Sequence, residues 1–215
     1  MSYRIDNAVT NYEIEQLLLW MYNKGDHYLE DNEEVLSKEV DLNANDWPKE
    51  LISNILWRNN LLAPFEEVLF WTHKKSVSNS QGLHADTGDG NQSKLGKNIL
   101  IPLRWTGDAA TIIFKNRWYG SDAKFGYIRK DKEKSSVTNL NLVEDYDSSK
   151  LFDKKAHDKY LKHLDINSLH GFTIDSVEVW KPNTILHWDR QQIHCSAYVS
   201  ALKTGLIIFT NKWFG

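Results

Sequence analysis

Apolar positions recur at helical spacing twice near the amino terminus and then give way to strand-like alternation. Ile14, Leu17, Leu18 and Met21 share one face of Tyr12–Lys24, which predicts a packing helix with Asn11 as its N-cap. Leu51, Ile52, Ile55 and Leu56 predict a second helix from Pro48 to about Leu62, capped by Asp46 and halted at Ala63-Pro64. From Phe65 onward, β-branched and aromatic residues dominate between Gly, Asn, Asp and Pro punctuation. They predict strands over 65–73, 98–105, 110–117, 172–180, 193–199 and 203–213. Helices followed by a long run of strands imply a mainly β core with flanking helices.

The alternation weakens between Tyr119 and Gly171. The charged run Arg129–Lys134 and the segment Glu144–Ser149 read as solvated loops. Leu151, Phe152, Tyr160, Leu161 and Leu164 make Lys150–Leu164 a candidate amphipathic helix. The chain therefore divides into a helical flank (1–64) and a β core (65–215) that carries an insertion at about 120–171.

Bulk composition narrows the function classes. With 215 residues, 41% of them hydrophobic and 12% aromatic, the chain buries one substantial core, which points to a single domain over 1–215. Net charge is −3 and no basic stripe is interleaved with aromatics, so nucleic-acid binding is not expected. The amino terminus has no apolar signal core and no apolar run is long enough to cross a bilayer. A cytoplasmic protein without membrane association is the expectation. The single cysteine, Cys195, excludes an internal disulfide and fits a reducing compartment.

Candidate chemistry lies in three His-x-Asp pairs. His163-Leu164-Asp165 ends the candidate amphipathic helix, and His187-Trp188-Asp189 sits immediately before His194. Neither leaves enough chain before a further histidine to fold a barrel between them. His84-Ala85-Asp86 does, because His194 follows Asp86 by 108 positions, room for several strands. Two imidazoles and one carboxylate can occupy one face of a ferrous ion and leave the other open to substrate and dioxygen. Strand alternation sends His84 and Asp86 to one side, and likewise His194, Ser196 and Tyr198, while Cys195 points away as a small buried hydrophobe.

On these residues the chain resembles the iron(II)- and 2-oxoglutarate-dependent dioxygenases, whose core is a double-stranded β-helix, the jelly roll that cupins also share. The matching material is His84-Ala85-Asp86, the strand pair 98–105 and 111–117, the stretch Val177–Trp188 leading into His194, and the closing strand from Lys203. The resemblance covers about the last two thirds of the chain, and the order of parts is more specific than any one part. It implies that His84, Asp86 and His194 are the iron ligands. It implies a reaction in which oxidative decarboxylation of 2-oxoglutarate is coupled to hydroxylation of a second substrate, a small molecule or an exposed side chain.

The same resemblance calls for a cation that receives the distal carboxylate of 2-oxoglutarate from the strand after the last histidine. Lys203, 9 positions beyond His194, is the candidate, with Thr204 as a hydroxyl donor if the strand phase is shifted. Arg104, Arg117 and Arg190 are alternatives. Lysine here replaces the commoner arginine fork, Gly205 stands where a hydroxyl often follows, and the strand 98–105 offers no tyrosine.

Other residues divide between structural and functional readings. His27, His73, His157, His163 and His170 read as structural, and Trp180, Trp188 and Trp213 as β-core. Trp105 and Trp118 are candidates for a substrate rim, and Gly88–Lys94 for a lid. Two further functional readings stay open: a cupin-type metalloprotein that does not use 2-oxoglutarate, and a non-catalytic jelly-roll binding module. Substrate identity and oligomeric state are not encoded in any motif of the sequence.

Overall fold

A computed structural model of the chain describes residues 3–23, 28–31, 35–42, 47–61, 64–73, 83–86, 96–119, 140–198 and 202–211. The alternating segments pair into two antiparallel sheets. Those of the larger are β1 (Arg4–Ile5), β2 (Tyr28–Asp31), β3 (Val35–Glu39), β4 (Phe65–His73), β5 (Lys97–Trp105), β9 (Ile185–Asp189) and β11 (Lys203–Thr210), in the order β1-β9-β5-β11-β4-β3-β2. The smaller sheet is centred on β6 (Ala110–Trp118). It pairs with β10 (Gln192–Ser196) on one side and with β7 (Val143–Glu144) and β8 (Ile174–Val179) on the other.

Period-2 alternation explains how the layers stack. On β4, Val68, Phe70 and Thr72 are buried under the helices α1 (Asn11–Tyr22) and α2 (Trp47–Arg58), where Leu17, Met21, Ile52, Ile55 and Leu56 join them. The intervening Leu69, Trp71 and His73 face a cavity between the sheets. Leu100, Ile113, Trp180, Leu186 and Trp188 form a small core between the sheets. Beyond the smaller sheet, Ile112, Phe114, Ile193 and Cys195 pack against Phe152, Leu161, Leu164, Leu169 and Phe172. The part of the predicted insertion that is described thus covers the outer face of that sheet. Among the described residues, no helix is long and apolar enough to cross a membrane.

Local chemistry moved several expected boundaries. Helix α1 is capped by Thr10, not Asn11: the Glu13 amide donates to Thr10 Oγ1 (3.2 Å) and the Thr10 amide to Glu13 Oε2 (2.8 Å). This reciprocal pair satisfies two orphan amides at once, which Asn11 has no partner to do. Arg58 also holds Glu13 through two 2.9 Å contacts. Helix α2 stops at Arg58 instead of near Leu62, because Asn60 takes a left-handed φ of 57° and Leu61 N–H turns back to Leu56 O at 2.9 Å. The proposed Asp46 cap lies outside the described residues. The expected helix over 150–164 shortens to one α turn and one π turn, Lys154–Leu161, capped by Asp153.

The flank expected to be helical contributes strands as well. β3 pairs with β4 from Val35↔His73 to Glu39↔Leu69, and β1 pairs with β9. β9 itself was not expected as a strand. It nevertheless places Trp188 beside Asn98 across the β5 ladder. Replacing Thr10 with alanine should lower the unfolding free energy by about 1 kcal/mol in a urea titration. No change would mean that Arg58 alone positions Glu13.

Candidate metal centre

His84 and His194 are brought together by backbone, not by side-chain attraction. His84 N–H donates to His194 O at 3.0 Å and His194 N–H to His84 O at 2.9 Å, a closed antiparallel pair that adds residue 84 to the edge of β10. Two residues on, the Asp86 amide donates to Arg190 O at 3.0 Å, and Arg190 Nε donates to Asp86 O. Alternation then turns all three side chains inward. One donor atom from each of His84, Asp86 and His194 lies within 4.8 Å of the other two.

Each donor is oriented by a neighbour. His194 Nδ1 lies 3.0 Å from Gln192 O. A carbonyl only accepts, so Nδ1 carries the proton and Nε2 points to Asp86 Oδ2, 3.0 Å away. Trp188 packs edge-on against the His194 ring, with centroids 4.9 Å apart. His84 Nε2 is 3.7 Å from Asp86 Oδ1, and Asn98 Nδ2 donates to Asp86 Oδ2 at 2.7 Å. Burial pushes the Asp86 carboxyl up, but His194 and His84, with Arg190, outweigh it and hold its pKa at about 2. The carboxylate is ionised at neutral pH, as a metal ligand has to be.

Two imidazoles and an ionised carboxylate on one side of a cavity suit a ferrous ion that keeps open positions. The buried atoms Asn98 Oδ1 and Trp188 Nε1, beside the cluster, have no partner among the described residues. Cys195 belongs to the outer cluster, and burial pushes its thiol up to about 12. It is therefore no thiolate ligand.

The cavity encloses about 740 Å³, its mouth included, and is lined by the triad and by Leu69, Leu100, Ile207 and Phe209. Lys203, also in its wall, is only 5% exposed and donates through Nζ to Ser196 Oγ. Its ammonium lies 4.5 Å above the Trp180 ring, and Trp180 in turn donates to Thr111 Oγ1 at 3.1 Å. No carboxylate pairs with Lys203 among the described residues, and burial pulls its pKa down to about 7. Gly205 lets Leu100 and Trp180 pack closely against this wall: a Cβ would come within 2.8 Å of Leu100 and 3.2 Å of Trp180.

The other expected site residues fall elsewhere. Thr204 lies on the opposite face of β11, fully buried, with its hydroxyl 3.0 Å from that of Thr72. Arg104 is exposed and is not part of the cavity wall. Arg190 is occupied by Glu66, Thr210 O and Asp86 O, and Arg117 by Asp189 at 2.7 Å. Trp118 is buried in the outer cluster, and Trp105 meets Trp180 edge-on at 5.9 Å. Trp180 and Trp188, expected to be core alone, also line the cavity. So does His73, expected to be structural. Its place two positions after Trp71 on a strand was the available signal. The expected lid at Gly88–Lys94 lies outside the described residues.

The sequence matches no protein-family model and no curated protein. Its structure is similar to that of the non-heme α-ketoglutarate-dependent epimerase SnoN from nogalamycin biosynthesis, with a TM-score of 0.51 and 6% identity over 97% of this chain and 77% of that one. It also matches a 2OG-Fe(II) oxygenase family oxidoreductase from Burkholderia pseudomallei, with a TM-score of 0.47 and 10% identity over 97% and 84% of the two chains. A prolyl-4-hydroxylase from Pseudomonas putida gives a TM-score of 0.47 and 7% identity over 97% and 91%. With its two facing antiparallel sheets, this chain has the double-stranded β-helix fold found among the 2-oxoglutarate- and iron(II)-dependent oxygenases.

Proposed function

We propose that this protein is an iron(II)- and 2-oxoglutarate-dependent oxygenase that hydroxylates a small molecule or an exposed side chain. The observation that carries the reading is the position of Lys203, a buried amine with no carboxylate partner among the described residues, in the wall of the cavity that also holds His84, Asp86 and His194. Burying an unpaired ammonium is costly unless an anion joins it. A dicarboxylate offers one end to the amine and the other to a metal.

In this reading His84, Asp86 and His194 hold ferrous iron, which supplies open positions for an oxo acid and dioxygen and, with the co-substrate's electrons, the oxidising power. Gln192 O and Asn98 keep His194 and Asp86 turned toward the ion. Lys203 orients the co-substrate through its distal carboxylate, and Ser196 steadies the amine. Leu69, Leu100, Ile207 and Phe209 exclude water from that path, which strengthens the ion pair. The wall around the triad is left to the second substrate.

Anaerobic titration with ferrous iron and then 2-oxoglutarate tests the reading through the visible charge-transfer band of a chelated oxo acid. A saturable band is expected in the wild type. Iron bound without a band would favour the cupin-type protein, and a folded protein that binds no iron would leave a non-catalytic module. His84→Ala, Asp86→Ala and His194→Ala should each abolish metal binding in the same titration. Asn98→Ala should weaken it by about 10–100-fold.

Affinity for 2-oxoglutarate should also depend on pH in one direction. The Lys203 amine has a pKa of about 7 when the cavity is empty. Above that pH, binding the anion has to draw in a proton. The apparent Kd should be flat below pH 7 and rise by up to about tenfold per pH unit above it. Lys203→Arg should remove the dependence, and Lys203→Ala should raise Kd by about 100-fold at pH 7.

A further inference from the structure

His73 lies directly across the β4–β11 ladder from Lys203, and both side chains face the cavity. Side chains at such opposed positions are close enough to grip one small group between them. Two positions earlier on the same face of β4, Trp71 donates its indole N–H to His73 Nε2 at 3.0 Å. An indole nitrogen only donates, so Nε2 is the bare nitrogen and Nδ1 carries the proton. No described residue accepts a hydrogen bond from Nδ1.

We infer that His73, held by Trp71 as a neutral Nδ1–H donor, binds the same carboxylate as Lys203 and is a second anchor for the co-substrate. This rests on the reading of the cavity as a 2-oxoglutarate site. It adds a residue of this chain that the sequence assigns to structure. A carboxylate presents two oxygens with several acceptor directions, and one buried amine that already donates to Ser196 cannot satisfy them all.

A neutral donor suits the place better than a second cation. Protonating His73 would put N–H on Nε2 against the Trp71 N–H and set two positive charges side by side in a dry wall. Burial and the Lys203 charge together hold the imidazole down at about 4. Among the described residues, the charged group that acts on this end is Lys203 from β11. Trp71 is thus a positioning residue and His73 a binding residue.

The test is the anaerobic 2-oxoglutarate titration of iron-loaded wild type, His73→Phe, His73→Asn, Trp71→Phe and Lys203→Ala, with iron affinity measured separately for each. His73→Phe should raise the Kd for 2-oxoglutarate by about tenfold and leave iron affinity unchanged. His73→Asn, whose amide restores a donor, should recover part of that loss. Trp71→Phe should release Nε2 from its donor, mix the Nε2–H tautomer into the population and raise the Kd for 2-oxoglutarate by less than His73→Phe does. Nitrogen-15 spectra of the metal-free wild type should show the Nδ1–H tautomer between pH 6 and 8 and a shift of that proton when 2-oxoglutarate is added.

Unchanged Kd in folded His73→Phe and His73→Asn, beside a clear loss in Lys203→Ala, would overturn the role of His73 and leave the oxygenase reading intact. So would an Nε2–H tautomer in the spectra. A wild type that binds iron and gives no band with 2-oxoglutarate would remove the oxygenase reading itself, and this inference with it.

Discussion

The two reciprocal hydrogen bonds between the main chains of His84 and His194 are the constraint on which the rest of the site depends. Each closes a ring across an antiparallel pair, so neither residue can shift in register without breaking both. A slip of one position by the segment 83–86 would turn His84 and Asp86 out of the cavity. The pairing also explains why residues 110 positions apart can form one site: β10 is already locked to β6 from Gln192↔Arg117 to Ser196↔Thr111. The segment 83–86 has only to add itself to that edge. Arg190 secures its far end, through Asp86 N–H and O, and anchors itself on Glu66 and Thr210 O.

Opposite charges are separated along the cavity wall. The Asp86 carboxylate is kept ionised beside the His84 and His194 rings, whereas the Lys203 amine lies among Trp180, Ser196 and His73 with no counter-ion among the described residues. The apolar residues that share this wall keep the dielectric low, so each group interacts more strongly with a complementary charge than it would in water. On the proposed reading, a molecule carrying an anion at one end and metal-binding oxygens at the other would complement both. Ser196, from the strand that carries His194, presents its hydroxyl to Lys203 across the sheets.

Much of this was legible in the sequence, for a specific reason. Strand side chains alternate with a period of two, so His84 with Asp86, and His194 with Ser196, could be assigned to shared faces before any fold was known. The same rule excludes Thr204 once Lys203 is placed in the wall, and the buried Thr72–Thr204 contact shows that face packed under α1. His73 was legible only in part. A histidine at the end of a predicted strand gives no sign of its cross-strand neighbour, because register between distant strands is set by the whole ladder. The N-cap was misplaced by one residue, although Thr10 and Glu13 carry the capping-box spacing.

By itself the sequence determined the mainly β class, the two packing helices and the three residues able to form a metal centre, because local periodicity and residue chemistry suffice for these. Tertiary structure decided which residues meet. It paired β3 and β9 into the larger sheet, turned Thr204 and Arg104 away from the cavity and set His73 opposite Lys203. Those outcomes follow from strand order and register, which arise from long-range backbone pairing and have no local signature in the chain.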